Sequence, residues 1–181
     1  MSSVFDFNRN HFELFGLEPR FGIEMDALDR AYRELQSRVH PDRFAHLPQA
    51  ERRAAMQWAI QVNGAYQILK SPQARAQYLI ELKGESVENH GGGGLPPSFL
   101  MEQMEWREKV EAAHEANDLA ALTALLQEST GAQRDLHAEL ERLLDRGHDP
   151  KAAKLALFRL MFLDKLREEI GDAQEAIDTL T

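Results

Sequence analysis

The chain has no cysteine among its 181 residues. That excludes disulfides, cysteine-held zinc and iron–sulfur ligation by its own thiolates, and it suits a reducing compartment without requiring one. Histidine occurs seven times, at 11, 40, 46, 90, 114, 137 and 148, but no two stand four apart as helical zinc ligands commonly do. No metal site and no cofactor is expected. No apolar run approaches the ~18 residues of a membrane span, and the start "MSSVFDFNRNHFELFGL" lacks the basic opening and apolar core of a leader. The expectation is a soluble, unexported, cytoplasmic protein with no membrane contact. Excess positive charge is missing too. A net charge of −9 argues against general nucleic-acid binding, because phosphate contacts need clustered Lys and Arg.

The negative charge is unevenly placed. Residues 1–82 hold 10 Lys/Arg and 10 Asp/Glu, whereas 83–181 hold 11 and 20, so the whole imbalance lies in the second part and predicts two modules with different partners. Between them "KGESVENHGGGGLPPSF" carries four consecutive glycines and then two prolines, which breaks regular structure and places a joint at 83–97. The modules are then 1–82 and 98–181. A loose surface loop inside one domain is the competing reading of the same segment.

Both modules read as helical, and no strand pattern of useful length occurs. Leu28, Ala31, Tyr32, Leu35 and Val39 share one helix face, with Arg30, Arg33, Glu34 and Ser37 opposite. Ala55, Trp58, Val62, Ala65, Tyr66 and Leu69 mark a second helix ended by Ser71-Pro72, giving a helical hairpin. After the joint, Leu119, Leu122, Leu126, Ser129, Gln133, Leu136, Leu140 and Leu143 step by three and four along one long helix, which Gly147 and Asp149-Pro150 stop. The last helix carries Leu155, Phe162, Leu163, Leu166, Ile170 and Ala173 inward. With a helix from about Pro97, these form a three-helix bundle. The fold class is all-α.

The first helix of the hairpin runs into His40-Pro41-Asp42. Pro41 pushes His40 out of the α region and removes a donor, so the helix ends there and two polar groups are displayed from a turn. Taken alone, His40 is equally a cation meeting the C-terminal end of the helix dipole. In context, "HFELFGL", the amphipathic helix, "HPDRF" and "VNGAYQILKSPQARAQYL" resemble a J domain, the module of DnaJ-type co-chaperones. Phe12, Leu14, Phe15, Gly16 and Leu17 match its opening, and Asn63, Ala65, Tyr66, Leu69, Pro72, Arg75 and Tyr78 match its third helix and the sequel. The resemblance implies that His40, Pro41 and Asp42, with Arg30, Arg33, Arg38 and Arg43 as the basic face, dock on an ATPase chaperone of the DnaK and HscA class. It also implies that the chain stimulates that partner's ATP hydrolysis and is itself no enzyme.

In "PPSFLMEQMEWREKVEAAHE", Phe99, Trp106, Val110 and Ala113 fall together at about 100° per residue. Leu100, Met101 and Met104 fall on the other side, near Glu105, Glu108, Glu111 and Glu115. Apolar groups rimmed by charge suit a protein-binding patch, and methionine suits an adaptable one. Packing of Leu100 and Met104 under the J-like first module or against another helix is the alternative. With "FLDKLRE" near the end, the arrangement resembles the HscB (Jac-type) co-chaperones of iron–sulfur cluster assembly over nearly the whole chain. The Gly/Phe-rich linker and cysteine repeats of generic DnaJ proteins are missing, as is the cysteine motif of some eukaryotic HscB relatives, which favours the bacterial type with no metal.

The HscB resemblance implies an IscU-type scaffold as second partner. Its patch would be Leu100, Met101, Met104, Glu105, Glu108 and Phe162. Where the family often has an arginine before "FLDKL", this chain has Met161, which offers a wider apolar surface in place of one polar contact. Two other readings stand beside this one. In the first, the chain is a J-domain co-chaperone for other protein clients; in the second, His40 and Asp42 are an acid–base pair in a hydrolase, unsupported by any phosphate loop or nucleophile elbow.

Overall fold

The computed structural model describes residues 6–39, 48–87 and 95–179, and those residues are helical with no strand among them. They form two compact units, Met1–Leu79 and Ile80–Thr181.

In the first unit the chain opens with a one-turn helix α1, His11–Leu14, fixed by a reciprocal cap: Glu13 N donates to Asn10 Oδ1 at 3.0 Å, and Asn10 N donates to Glu13 Oε2 at 3.0 Å. Phe12, Leu14 and Phe15 are buried from it. Gly16 then takes φ +65°, a left-handed conformation that only glycine adopts without strain. It lets Leu17 N return to Phe12 O at 3.0 Å. Helices α2 (Met25–Val39) and α3 (Gln49–Lys70) form the hairpin that α1 packs against, and α4 (Pro72–Leu82) follows after Ser71. Ser71 is extended because it precedes a proline.

The hairpin is antiparallel, pinned by side-chain rungs. Tyr66 Oη donates to Asp29 Oδ1 at 2.8 Å, Tyr32 Oη to Asn63 Oδ1 at 3.0 Å, and the two tyrosine rings stack 3.9 Å apart. Leu28, Trp58, Val62, Ala65 and Leu69 fill the space behind them. Arg75, a buried guanidinium from α4, donates to Leu69 O at the end of α3 and lies 5.1 Å from the Phe21 ring. A cation there meets the negative end of the α3 dipole.

Tyr78 accepts from the His11 backbone N at 3.1 Å and stacks on the His11 ring at 4.1 Å. Enclosure leaves His11 Nδ1 without a hydrogen-bond partner among the described residues, and burial lowers the imidazole pKa from its ordinary 6.5. A lowered folded pKa means that the unfolded chain takes up the proton first. Stability present above pH 6.5 is therefore lost as the pH falls through 6.5 to the lower folded value. We expect His11→Phe, which keeps the stack and removes the titration, to flatten the first unit's stability between about pH 7 and 5. Urea unfolding followed by Trp58 fluorescence in a Trp106→Phe background checks this.

The second unit is an up-down-up bundle of α5 (Pro97–Glu115), α6 (Leu119–Glu141) and α7 (Pro150–Asp178). Asp118 and Asp149 cap α6 and α7, accepting from Ala121 N at 2.9 Å and Ala152 N at 3.0 Å. The expected long helix through Leu143 is only partly α-helical. Residues Arg142–Gly147 widen into a π-helical turn, and Leu143 and Leu144, adjacent in the chain, are both buried in it. Gly147 does not stop the helix. The left-handed residue is His148, at φ +50°, while a Cβ on Gly147 would meet Arg142 O at 3.3 Å. Glycine serves close approach at that point, not a turn.

Lys83 Nζ donates to Leu144 O in the π-turn at 2.8 Å, Lys154 Nζ donates to Ser86 O at 2.6 Å, and Val87 is buried. Two lysines thus tie residues 83–87 to the bundle. Between α6 and α7, Gln133 donates to Asp164 and accepts from Arg167. Desolvation holds the Asp164 pKa above its ordinary value even with His137, Arg167 and Gln133 favouring the charged form.

Candidate functional site

On α2, Arg30, Arg33 and Arg38 are exposed on the side away from the core. Arg33 Nε also donates back to Asp29 O at 3.2 Å. His40, Pro41, Asp42 and Arg43 lie outside the described residues.

In the second unit, Phe99, Trp106, Val110 and Ala113 are buried as the periodicity of α5 requires. Leu100, Met101 and Met104 are 44%, 62% and 61% exposed. The helices of the bundle leave all three uncovered. Glu105 and Glu108 are exposed on the same side, as are Glu111 and Glu115, so the apolar stripe sits within an acidic surface. Phe162 takes a different place from the rest of the predicted patch. It is 8% exposed, sits edge-on to Phe99 at 6.2 Å and lies under the Arg107 guanidinium at 5.7 Å. Its role is to support α5 from below. Met161, one residue earlier, is exposed, while Arg159 is half-buried over Phe99 and pairs with Glu102 at 3.4 Å.

A family model for the DnaJ domain matches residues 10–78, and one for the HscB C-terminal oligomerisation domain matches residues 95–171. The chain is 47% identical over 174 residues to a co-chaperone protein HscB homologue of Aromatoleum aromaticum, covering 96% of this chain and 98% of the relative. The chain belongs to the HscB co-chaperone family. A second HscB homologue, from Azoarcus sp., is 46% identical over 173 residues, covering 96% and 98%. Among solved structures, the HscB chaperone of Vibrio cholerae superposes with a TM-score of 0.80 at 39% identity, covering 93% of this chain and 99% of the other. Human HscB superposes with a TM-score of 0.83 at 27% identity, covering 92% and 82%.

As an HscB-family J-domain co-chaperone, the chain pairs a basic face on α2 with an acidic, apolar-centred face on α5. Among the described residues, no three His, Asp or Glu side chains gather as a metal site would need, and no helix is long and apolar enough to cross a membrane. Sequence reasoning missed Met56 and Ile60. They stand at i and i+4 on α3, opposite Trp58 and Val62, and are 68% and 66% exposed. The signal was available: both fall off the core-facing periodicity that identified α3.

Proposed function

We propose that this HscB-family chain is a cytoplasmic adaptor in iron–sulfur cluster assembly, with residues 1–82 as a J-domain head, 83–97 as a linker and 98–181 as a scaffold-binding head. The first head, through His40-Pro41-Asp42 and Arg30, Arg33, Arg38 and Arg43, engages an HscA-type chaperone and triggers its ATP hydrolysis. The second, through Leu100, Met101 and Met104 with Glu105 and Glu108, holds an IscU-type scaffold. Phe162 contributes by packing beneath that surface.

The observation that carries this reading is the exposure of three large apolar side chains on one side of α5, whose opposite side is buried in the bundle. A folded helix gains nothing from such a stripe in water, and burying it against a partner gains about 25 cal/mol per Å² of apolar surface. Holding both partners at once raises the scaffold's effective concentration at the chaperone. The chain performs no bond chemistry in this scheme. It binds, presents and triggers.

The deciding experiment is single-turnover ATP hydrolysis by the HscA-type chaperone with scaffold, with this protein and with both together. We expect the combination to exceed either alone. Acceleration by this protein that ignores scaffold, with no scaffold binding by calorimetry, would assign it to other clients; no acceleration in any mixture would overturn the chaperone role.

A further inference from the structure

We propose that the chain self-associates head to tail, with the Met56 and Ile60 ridge of α3 in one copy seated on the Leu100, Met101 and Met104 stripe of α5 in another. The contact joins a basic-rimmed apolar surface to an acidic-rimmed one. It does not depend on the adaptor reading above.

Met56, Ile60, Met101 and Met104, at 68%, 66%, 62% and 61%, are the four most exposed large apolar side chains among the described residues. They fall into two patches, one on each unit. Neither patch serves the packing of its own unit, because Ala55, Trp58 and Val62 bury the opposite side of α3 while Phe99, Trp106 and Val110 bury that of α5. Each patch carries methionine, whose unbranched side chain adapts to the surface it meets.

The two patches match in spacing. On α3, Arg52, Met56 and Ile60 follow one another at four-residue steps, and on α5 Leu100, Met104 and Glu108 do the same. Each step is about 6 Å along the helix and about 40° around it, and two such rows pack along each other at the common helix crossing of about 50°. With the helices running in opposite directions, Ile60 comes level with Leu100, Met56 with Met104 and Arg52 with Glu108.

Charge fixes that direction and selects the occupant. Arg52 and Arg53 lie within about 60° of Met56 around α3, whereas Glu51 falls about 140° away. On α5, Glu108 and Glu111 lie within about 40° of Met104. Antiparallel pairing brings the two arginines to this acidic end, where Arg107 leans aside onto the Phe162 ring at 5.7 Å. Parallel pairing would set Arg52 on Leu100 and Glu108 on Ile60. Two ridges repel each other through their arginines and two stripes through their glutamates, so the ridge of one copy selects the stripe of another. Joining unlike surfaces in this way builds rings or open chains. On the adaptor reading, a stripe covered by a second copy is closed to the scaffold, and the two compete for it.

The test is sedimentation velocity of the full chain in low salt across about 1 μM to 1 mM, the affinity range of a small interface. The weight-average sedimentation coefficient should rise with concentration, and less steeply as salt is added. Arg52→Glu/Arg53→Glu should stay monomeric throughout, as should Glu105→Arg/Glu108→Arg. All four side chains are exposed, and circular dichroism checks that both variants keep their helices. Mixed in equal amounts, the two variants should associate again, because each then offers the surface that the other's charges complement. Met56→Ser/Ile60→Ser, which removes the apolar centre, should raise the concentration for half-association at least about tenfold. An unaltered chain that stays monomeric across the range overturns the proposal. Association that survives either charge reversal, or that the mixture fails to restore, overturns it as well.

Discussion

A His40→Gln variant is expected to lose nearly all acceleration of the chaperone's ATP hydrolysis, at least about tenfold, a barrier difference of about 1.4 kcal/mol or more. Its affinity for the scaffold should be unchanged. Glutamine keeps a donor and an acceptor at similar reach but loses the planar ring and the capacity for positive charge. If His40 acts only as a cation at the end of α2, its loss costs about 0.3–1 kcal/mol of stability through the helix dipole and leaves saturated acceleration intact. The two roles therefore separate cleanly. Loss of the maximal rate with an unaltered melting temperature supports the trigger; a lower melting temperature with full acceleration assigns His40 to the helix end. Truncating a docking contact moves the half-maximal concentration, whereas removing the trigger moves the maximum.

The second large effect is expected at the stripe. Leu100→Ala combined with Met104→Ala should weaken scaffold binding by about a hundredfold, or roughly 3 kcal/mol, the scale of removing two apolar anchors from the centre of an interface. Calorimetry measures it directly. Both side chains are exposed, and alanine is the strongest helix former, so the bundle should melt no lower than before. Undiminished affinity would remove the stripe from the interface. Phe162→Ala serves as the contrasting control. Its ring is buried against Phe99 and beneath Arg107, so truncation should cost the bundle about 3–5 kcal/mol. Any loss of binding in that variant should then track the loss of folded protein.

Much of this architecture was legible in the residues because helix faces repeat on a local rule. The outward position of Leu100, Met101 and Met104 follows from their angular offset to Phe99, Trp106, Val110 and Ala113, all on one helix with one packed side. The same rule places Phe162 correctly on α7, which is buried from Ala153 to Ile177 over a broad sector. Periodicity directed Phe162 inward, and family resemblance assigned it to the patch; a helix packed on two neighbours has no single outward direction. The tertiary arrangement decides in favour of burial. Leu119 and Leu126 show the same limit at smaller scale, one exposed and one half-buried, while Leu125 takes the core position between them.

The residues by themselves determined the helical class, the two-part division of charge, the outward stripe on α5 and the resemblance that family membership upholds. Each depends on spacing along the chain, on composition or on motif. Only the tertiary structure decided that Arg75 is buried beneath α3, that Lys83 and Lys154 hold residues 83–87 to the bundle, and that α6 ends in a π-turn. These depend on where distant segments meet, through carbonyls left open at helix ends and a register set by Asp29–Tyr66 and Tyr32–Asn63. No periodicity within a single helix encodes such meetings, because the partner group lies dozens of residues away and is chosen by packing.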